Sequence, residues 1–277
     1  MIEILLIATG LIGLIIASIS DLKTREIPDW LNFSMIAAGI SMRLMQSIST
    51  GIWQYLMYTI LAVVAMFLLG NLMYYTRQWG GGDTKLLVAI ASIFAIVPGQ
   101  KYFLLSFLLN LVIISTLYGL FWCIYFAFKN RAKFRKELPI YIHKNKHKIK
   151  LFLSIALLLL IPLLIINDIS LRVLLLSTSI ILLLYPLLTT FIEAVERSAM
   201  FKELPVSKLT EGDWLTKDIK IKNKLIYSKS SPGIEKRQIN LLKKSNIKYV
   251  PVKEGIPFVP AFLISILITL ILGNMIL

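Results

Sequence analysis

Apolar runs close to membrane-spanning length recur along this chain, from residue 2 to residue 276. A helix needs about 20 mostly apolar residues to cross a hydrocarbon core. Runs near 2–20, 30–47, 53–75, 84–98, 102–128, 150–167, 171–192 and 258–276 approach that length, the fourth being short. A backbone in lipid must satisfy its own polar groups, which leaves helices or a closed barrel. These runs lack the alternation of barrel strands, so helices are expected. The chain is 57% apolar, against about 45–50% for soluble domains. The expected fold is an all-α polytopic membrane protein of about eight transmembrane helices. Asn167, Asp168 and Arg172 read as a tight turn. A single tilted or interfacial element there would lower the count, giving a range of six to eight. Residues 2–20 lack a basic leader region and a small-residue cleavage site, so they read as a retained first span.

Charge orders these spans. The formal net charge is +15. The positive charge lies beside apolar spans, so anionic lipid headgroups, and not nucleic acid, are the expected partner. Connections near 21–29, 76–85, 129–150 and 193–257 hold 27 of the 30 basic residues. The remaining connections hold Arg43, Lys101 and Arg172. Basic loops face the cytoplasm, which puts the odd-numbered connections inside and the N-terminus outside. The organisation that follows is a five-span domain over 1–128, a basic cytoplasmic loop over 129–149 and a transmembrane hairpin over 150–192. A small α+β cytoplasmic insertion over 193–257 and a C-terminal helix over 258–277 complete it. Within the insertion, Ile234–Lys244 has the apolar spacing of a short amphipathic helix. Ile247–Val252 reads as a strand, and Gly212, Asp213, Pro232 and Gly233 mark turns.

Metal and disulfide chemistry are not expected. Cys123 is the one cysteine and lies in an apolar run. His143 and His147 share a helical spacing but stand among lysines without a carboxylate ligand nearby, and read as solvated. No cofactor or metal site follows from these residues.

Two aspartates stand out. Asp21 ends the first apolar run, and Asp83 opens the fourth after Gly80-Gly81-Gly82. The charge-derived topology brings both to the cytoplasmic membrane surface. Each has an ordinary reading as well. Asp83 is a good helix N-cap, Asp21 a solvated loop carboxylate, and Asp29 a cap for the second span after Pro28. Two carboxylates brought together can share one proton. One then activates a water while the other donates to a scissile carbonyl, and the pair titrates as a unit. Three glycines allow positive φ and leave room for a substrate backbone. Arg25 and Lys23 suit anionic headgroups, Trp30 suits the interface, and Lys85 either neutralises a carboxylate or snorkels.

Asp21 followed by Lys-Thr-Arg-Glu-Ile-Pro, with Gly80-Gly81-Gly82-Asp83-Thr84-Lys85, resembles the two signature motifs of type IV prepilin peptidases. These are GxGD membrane aspartyl proteases, among them archaeal preflagellin and prepilin peptidases. Lys253–Pro260 resembles the C-terminal region of archaeal members. The resemblance implies catalytic Asp21 and Asp83, with Gly80, Gly81, Gly82, Lys85, Arg25 and Pro28 in support. It implies a pilin-like precursor with a short basic leader, cut on the cytoplasmic side. Bacterial members often carry a zinc-binding cysteine domain and N-methylate the new terminus. This chain lacks those cysteines, so cleavage without methylation is expected. Two other readings stand beside this one. A protease of the signal-peptide-peptidase type places its first aspartate within a span. A transporter or non-catalytic scaffold keeps ionisable groups at mid-membrane, where this chain is expected to carry essentially none.

Overall fold

Every one of the eight apolar runs forms a helix in a computed structural model, which describes residues 1–222, 224–231, 233–245 and 247–273. The helices are α1 (Ile2–Thr24), α2 (Asp29–Thr50), α3 (Gln54–Tyr75), α4 (Gly81–Phe94), α5 (Phe103–Lys129), α6 (Arg131–Lys144), α7 (Lys146–Leu160), α8 (Ile169–Val195), α9 (Lys236–Lys243) and α10 (Val259–Leu272). Short strands β1 (Phe201–Pro205), β2 (Trp214–Leu215), β3 (Ile219–Ile221), β4 (Lys224–Tyr227) and β5 (Tyr249–Lys253) join them. The architecture is that of a helical multi-pass membrane protein with a small α+β insertion.

Among the described residues, five helical segments are long and apolar enough to cross a membrane: α1, α3, α5, residues 146–164 and residues 169–200. The remaining three apolar segments do not meet that measure. α2 is interrupted by Arg43 and Gln46, while α4 and α10 have 14 residues each. The expected count of eight spans is therefore not established. α4 is short because it is an interior helix. From Thr84 to Phe94 every residue but Lys85 is buried, against α3, α2 and α1.

The chain divides into two units. The first holds residues 1–120, 204–250 and 255–277. Its core gathers Leu6, Leu14, Met35, Leu87, Ile90, Phe94, Phe107, Phe262 and Ile266 from five helices. Small residues set the close crossings, as is common where membrane helices pack. A Cβ on Gly39 of α2 would come within 2.7 Å of the Ser92 backbone, and one on Gly10 of α1 within 2.5 Å of the Phe94 ring. A second small-residue crossing joins α3 to α4. A Cβ on Gly70 would meet Thr84 Cγ2 at 2.8 Å, and Thr84 Oγ1 donates to the Gly70 carbonyl at 3.1 Å.

Arg43 departs from the sequence reading. It lies inside α2, fully buried, and not in a connection. Its guanidinium donates to Glu3 at 2.6 Å, to Gln46 at 2.7 Å and to the Ile96 carbonyl at 2.6 Å. Charge is therefore present within the bundle. Arg43 satisfies carbonyls at the C-terminal end of α4, the end remote from Asp83.

In the same unit, β3 and β4 pair antiparallel, with Ile219 opposite Tyr227. Gly212 takes φ 95°, and its N–H donates to the Ile234 carbonyl at 2.8 Å. α9 falls within the expected amphipathic segment, and β5 overlaps the expected strand. Pro232, read as a turn marker, lies outside the described residues, as do the last residues of the C-terminal run.

The second unit holds residues 121–203 and 251–254. Residues 129–149, expected as a loop, are helical: α6 occupies most of them and α7 starts at Lys146. Lys, Arg, Glu and Leu are good helix formers, and Phe134 of α6 packs edge-on against Phe191 of α8, centroids 5.6 Å apart. α7 and α8 pack against each other as two helices. Asp168 caps α8, accepting from the Leu171 N–H at 2.9 Å.

Candidate active site

Asp21 and Asp83 come from helices with separate local histories. Asp21 lies in the last turn of α1, whose C-cap is Arg25 in the left-handed region, φ 61°. The Arg25 N–H closes that turn on the Asp21 carbonyl at 2.9 Å. The Asp21 side chain is on the buried face of α1, 6% exposed. Asp83 is the third residue of α4, and its Oδ2 accepts from the Gly80 N–H at 3.0 Å. It thus closes the helix start, though not as the N-cap, which is Gly80. The two carboxyl groups lie within electrostatic reach of each other.

A third element completes the arrangement. Asp21 Oδ2 accepts from the Val259 N–H at 2.8 Å, at the first residue of α10. A helix N-terminus presents unpaired N–H groups and a partial positive charge, which suits a carboxylate. Arg25 Nη1 donates to the Gly255 carbonyl at 2.6 Å, so α1 grips the approach to α10 at two points. Trp79, just before the glycines, packs on Phe258 and Phe262 of this same segment, with centroids 6.1 and 5.4 Å away. The N-terminus of α10 therefore touches both aspartate-bearing stretches. The resemblance of residues 253–260 to a family region implies no role for them. The signal was a Pro-bracketed, Gly-containing entry to an apolar helix, but its partner lies 238 residues away.

The supporting residues fall differently from expectation. Gly80, Gly81 and Gly82 do not adopt positive φ; Gly80 is extended and the other two begin α4. Their value is the absence of a side chain. A Cβ on Gly82 would lie 3.4 Å from Ile27, so that side is closed by the connection between α1 and α2. Gly81 is exposed, with Tyr74 at 3.9 Å the nearest neighbour to an added Cβ, so the open side is there. Pro28, not Asp29, is the N-cap of α2. Asp29 is the first helical residue and pairs with Lys85 at 2.6 Å, clasping α2 to α4. Lys85 therefore neutralises a carboxylate outside the aspartate pair. Its ammonium also lies 5.7 Å from the Phe33 ring centre. Trp30 is exposed, as an interfacial residue would be.

Two buried polar side chains were not singled out from sequence. Ser18 is one turn before Asp21, and Asn32 one turn after Asp29. The Ser18 hydroxyl and both Asn32 amide atoms are buried without a hydrogen-bond partner among the described residues. Such groups are costly unless a water or ligand satisfies them. Among the described residues no cluster of three or more His, Cys, Asp or Glu side chains could hold a metal.

Comparison with known proteins bears on the same stretch. The chain is 30% identical over 135 residues to the preflagellin peptidase of Methanococcus voltae, covering 49% of this chain and 55% of that protein. It is 31% identical over 125 residues to the preflagellin peptidase of Methanococcus maripaludis, covering 43% and 54%. It is 30% identical over 97 residues to the prepilin peptidase EppA of Methanothermobacter thermautotrophicus, covering 35% and 25%. The chain thus spans about half the length of the first two relatives. No solved structure matches it. The resemblance carried by the two aspartate motifs is met by a family model as well: residues 8–127, which hold Asp21 and Asp83, match the type IV leader peptidase family.

Proposed function

We propose that this chain is a membrane aspartyl endopeptidase that removes the short basic leader of pilin-like precursors at the cytoplasmic face, without N-methylation. The observation that carries the reading is that the start of α10 touches both aspartate-bearing stretches, leaving Asp21 of α1 and Asp83 of α4 within electrostatic reach of each other. The names of the relatives, preflagellin and prepilin peptidase, supply the substrate class. The distribution of basic residues supports a cytoplasmic site and an outside N-terminus.

The chemistry follows from a shared proton. The ionised aspartate takes a proton from water, and the resulting hydroxide adds to the scissile carbonyl carbon. The protonated partner donates to the carbonyl oxygen, giving a neutral gem-diol. A proton then passes to the amide nitrogen, the C–N bond breaks, and the pair returns to one proton. The Val259 N–H and the α10 N-terminus hold Asp21 in place throughout. Gly81 offers the open approach for an extended substrate. A basic leader needs a negative partner on a basic face. Asp29 is engaged by Lys85, whereas the carboxylate of exposed Glu26 is unpaired among the described residues.

The test is to incubate the purified protein with a pilin-like precursor whose basic leader precedes an apolar helix. A product shortened by the leader and carrying an unmodified N-terminus is expected. An intact precursor under conditions where the enzyme stays folded would refute the assignment.

A further inference from the structure

A cavity lies in the second unit, where α5 gives way to α6. Its volume is about 340 Å3, and its lining combines the apolar Ile124, Ala127, Phe128, Phe134 and Phe191 with Arg131 and Arg135. Its floor adjoins a small buried cluster of Cys123, Ala127 and Val195. Phe134 and Phe191 form an edge-to-face wall. The boundary between apolar and basic sequence runs through this cavity. Ile124 and Phe128 end the apolar run of α5, and Lys129 opens the basic stretch. This is the level at which an acyl chain meets its headgroup.

The two arginines are four residues apart and share one face of α6 with Phe134. Neither guanidinium has a hydrogen-bond or ion-pair partner among the described residues. The acidic residues at the end of α8 are engaged elsewhere, Glu193 by Lys144 at 3.2 Å and Glu196 by Lys253 at 2.8 Å. Guanidinium groups suit phosphate because their planar fork matches its oxygens. An apolar slot whose lining includes a free arginine pair is complementary to one ligand class: an amphiphile with an anionic phosphate head. A basic leader peptide is disfavoured by the same charges.

We propose that this cavity binds an anionic phospholipid, with the phosphate between Arg131 and Arg135 and the upper part of an acyl chain against Ala127, Phe134 and Phe191. The site shares no residue with the aspartate pair and does not depend on the peptidase reading.

The experiment is native mass spectrometry of the full chain in detergent, titrated with phosphatidylglycerol or phosphatidylcholine. Wild-type protein should retain phosphatidylglycerol preferentially. Arg131→Gln with Arg135→Gln should weaken that retention by about tenfold or more, as loss of two charge-assisted contacts implies. Lys133→Gln with Lys136→Gln removes equal charge from the opposite face of α6 and should leave it unchanged. Ala127→Trp keeps the charge but fills the slot, and should also weaken retention. Melting temperatures in the same detergent identify any variant that fails to fold. Inorganic phosphate at the lipid's concentration should not displace it. Equal loss in the two charge variants would reduce the site to general surface attraction and overturn the proposal. So would displacement by phosphate, equal retention of phosphatidylcholine, or full retention by a folded Ala127→Trp variant.

Discussion

Asparagine at position 21 or 83 keeps an oxygen where the Val259 or Gly80 N–H now donates. Asp21→Asn and Asp83→Asn should therefore insert and melt much as the wild type does, while losing the proton that the chemistry moves. Alanine is a poorer probe, since loss of a helix-start acceptor costs about 0.5–2 kcal/mol by itself. Asp29→Asn breaks only a half-exposed pair with Lys85, worth about 0–1 kcal/mol, and should retain most activity. Glu26→Gln should raise KM for a Lys- or Arg-rich leader and leave a neutral leader nearly unaffected; equal KM for both leaders in that variant, unchanged from wild type, would remove Glu26 from recognition. At this scale the sequence reveals the aspartates, because each follows or precedes an apolar run. It hides their partners. Nothing near Asp21 announces an amide 238 residues later, and the salt bridge of Asp29 depends on α2 and α4 lying side by side.

Helix crossings are governed by residues that carry no chemistry. Gly39→Ala would drive a methyl into the Ser92 backbone, which cannot turn aside. It should destabilise by about 1–3 kcal/mol, the range for overpacking a tight contact, seen as a lower melting temperature in detergent. The glycines before Asp83 should separate by face. Gly81→Val adds bulk on the open side and should lower turnover per folded molecule with little change in melting temperature. Gly82→Val meets Ile27 and should lower turnover and stability together. If Gly81→Val were fully active, substrate would have to approach elsewhere. Hydropathy located the eight apolar helices but not their roles. α4 reads as a short span because the pattern cannot distinguish lipid from a ring of neighbouring helices. The 129–149 stretch reads as a loop because lysines mask helix formers whose apolar contacts, such as Phe134 on Phe191, are tertiary.

For the molecule as a whole, the account requires one face for both aspartates. Single cysteines at Thr24, Gln78 and Ile140 should label from the cytoplasmic side, and those at Ser49 and Lys101 from the other. Opposite labelling of Thr24 and Gln78 would put the two carboxyl groups on different faces. Positive-inside counting gives the same faces whether Arg43 is counted or set aside, although Arg43 lies within the bundle and not in a loop. A shared proton also predicts a bell-shaped dependence of turnover on pH, because activity needs one aspartate charged and one neutral. A flat profile across the folded range would contradict sharing. The most direct test of the central claim is leader removal per folded molecule for the wild type, Asp21→Asn and Asp83→Asn, read by intact mass of the precursor. The account predicts that the wild type shortens the precursor while both folded variants leave it intact. Near-normal shortening by either variant would show that the two carboxyl groups do not act as a pair.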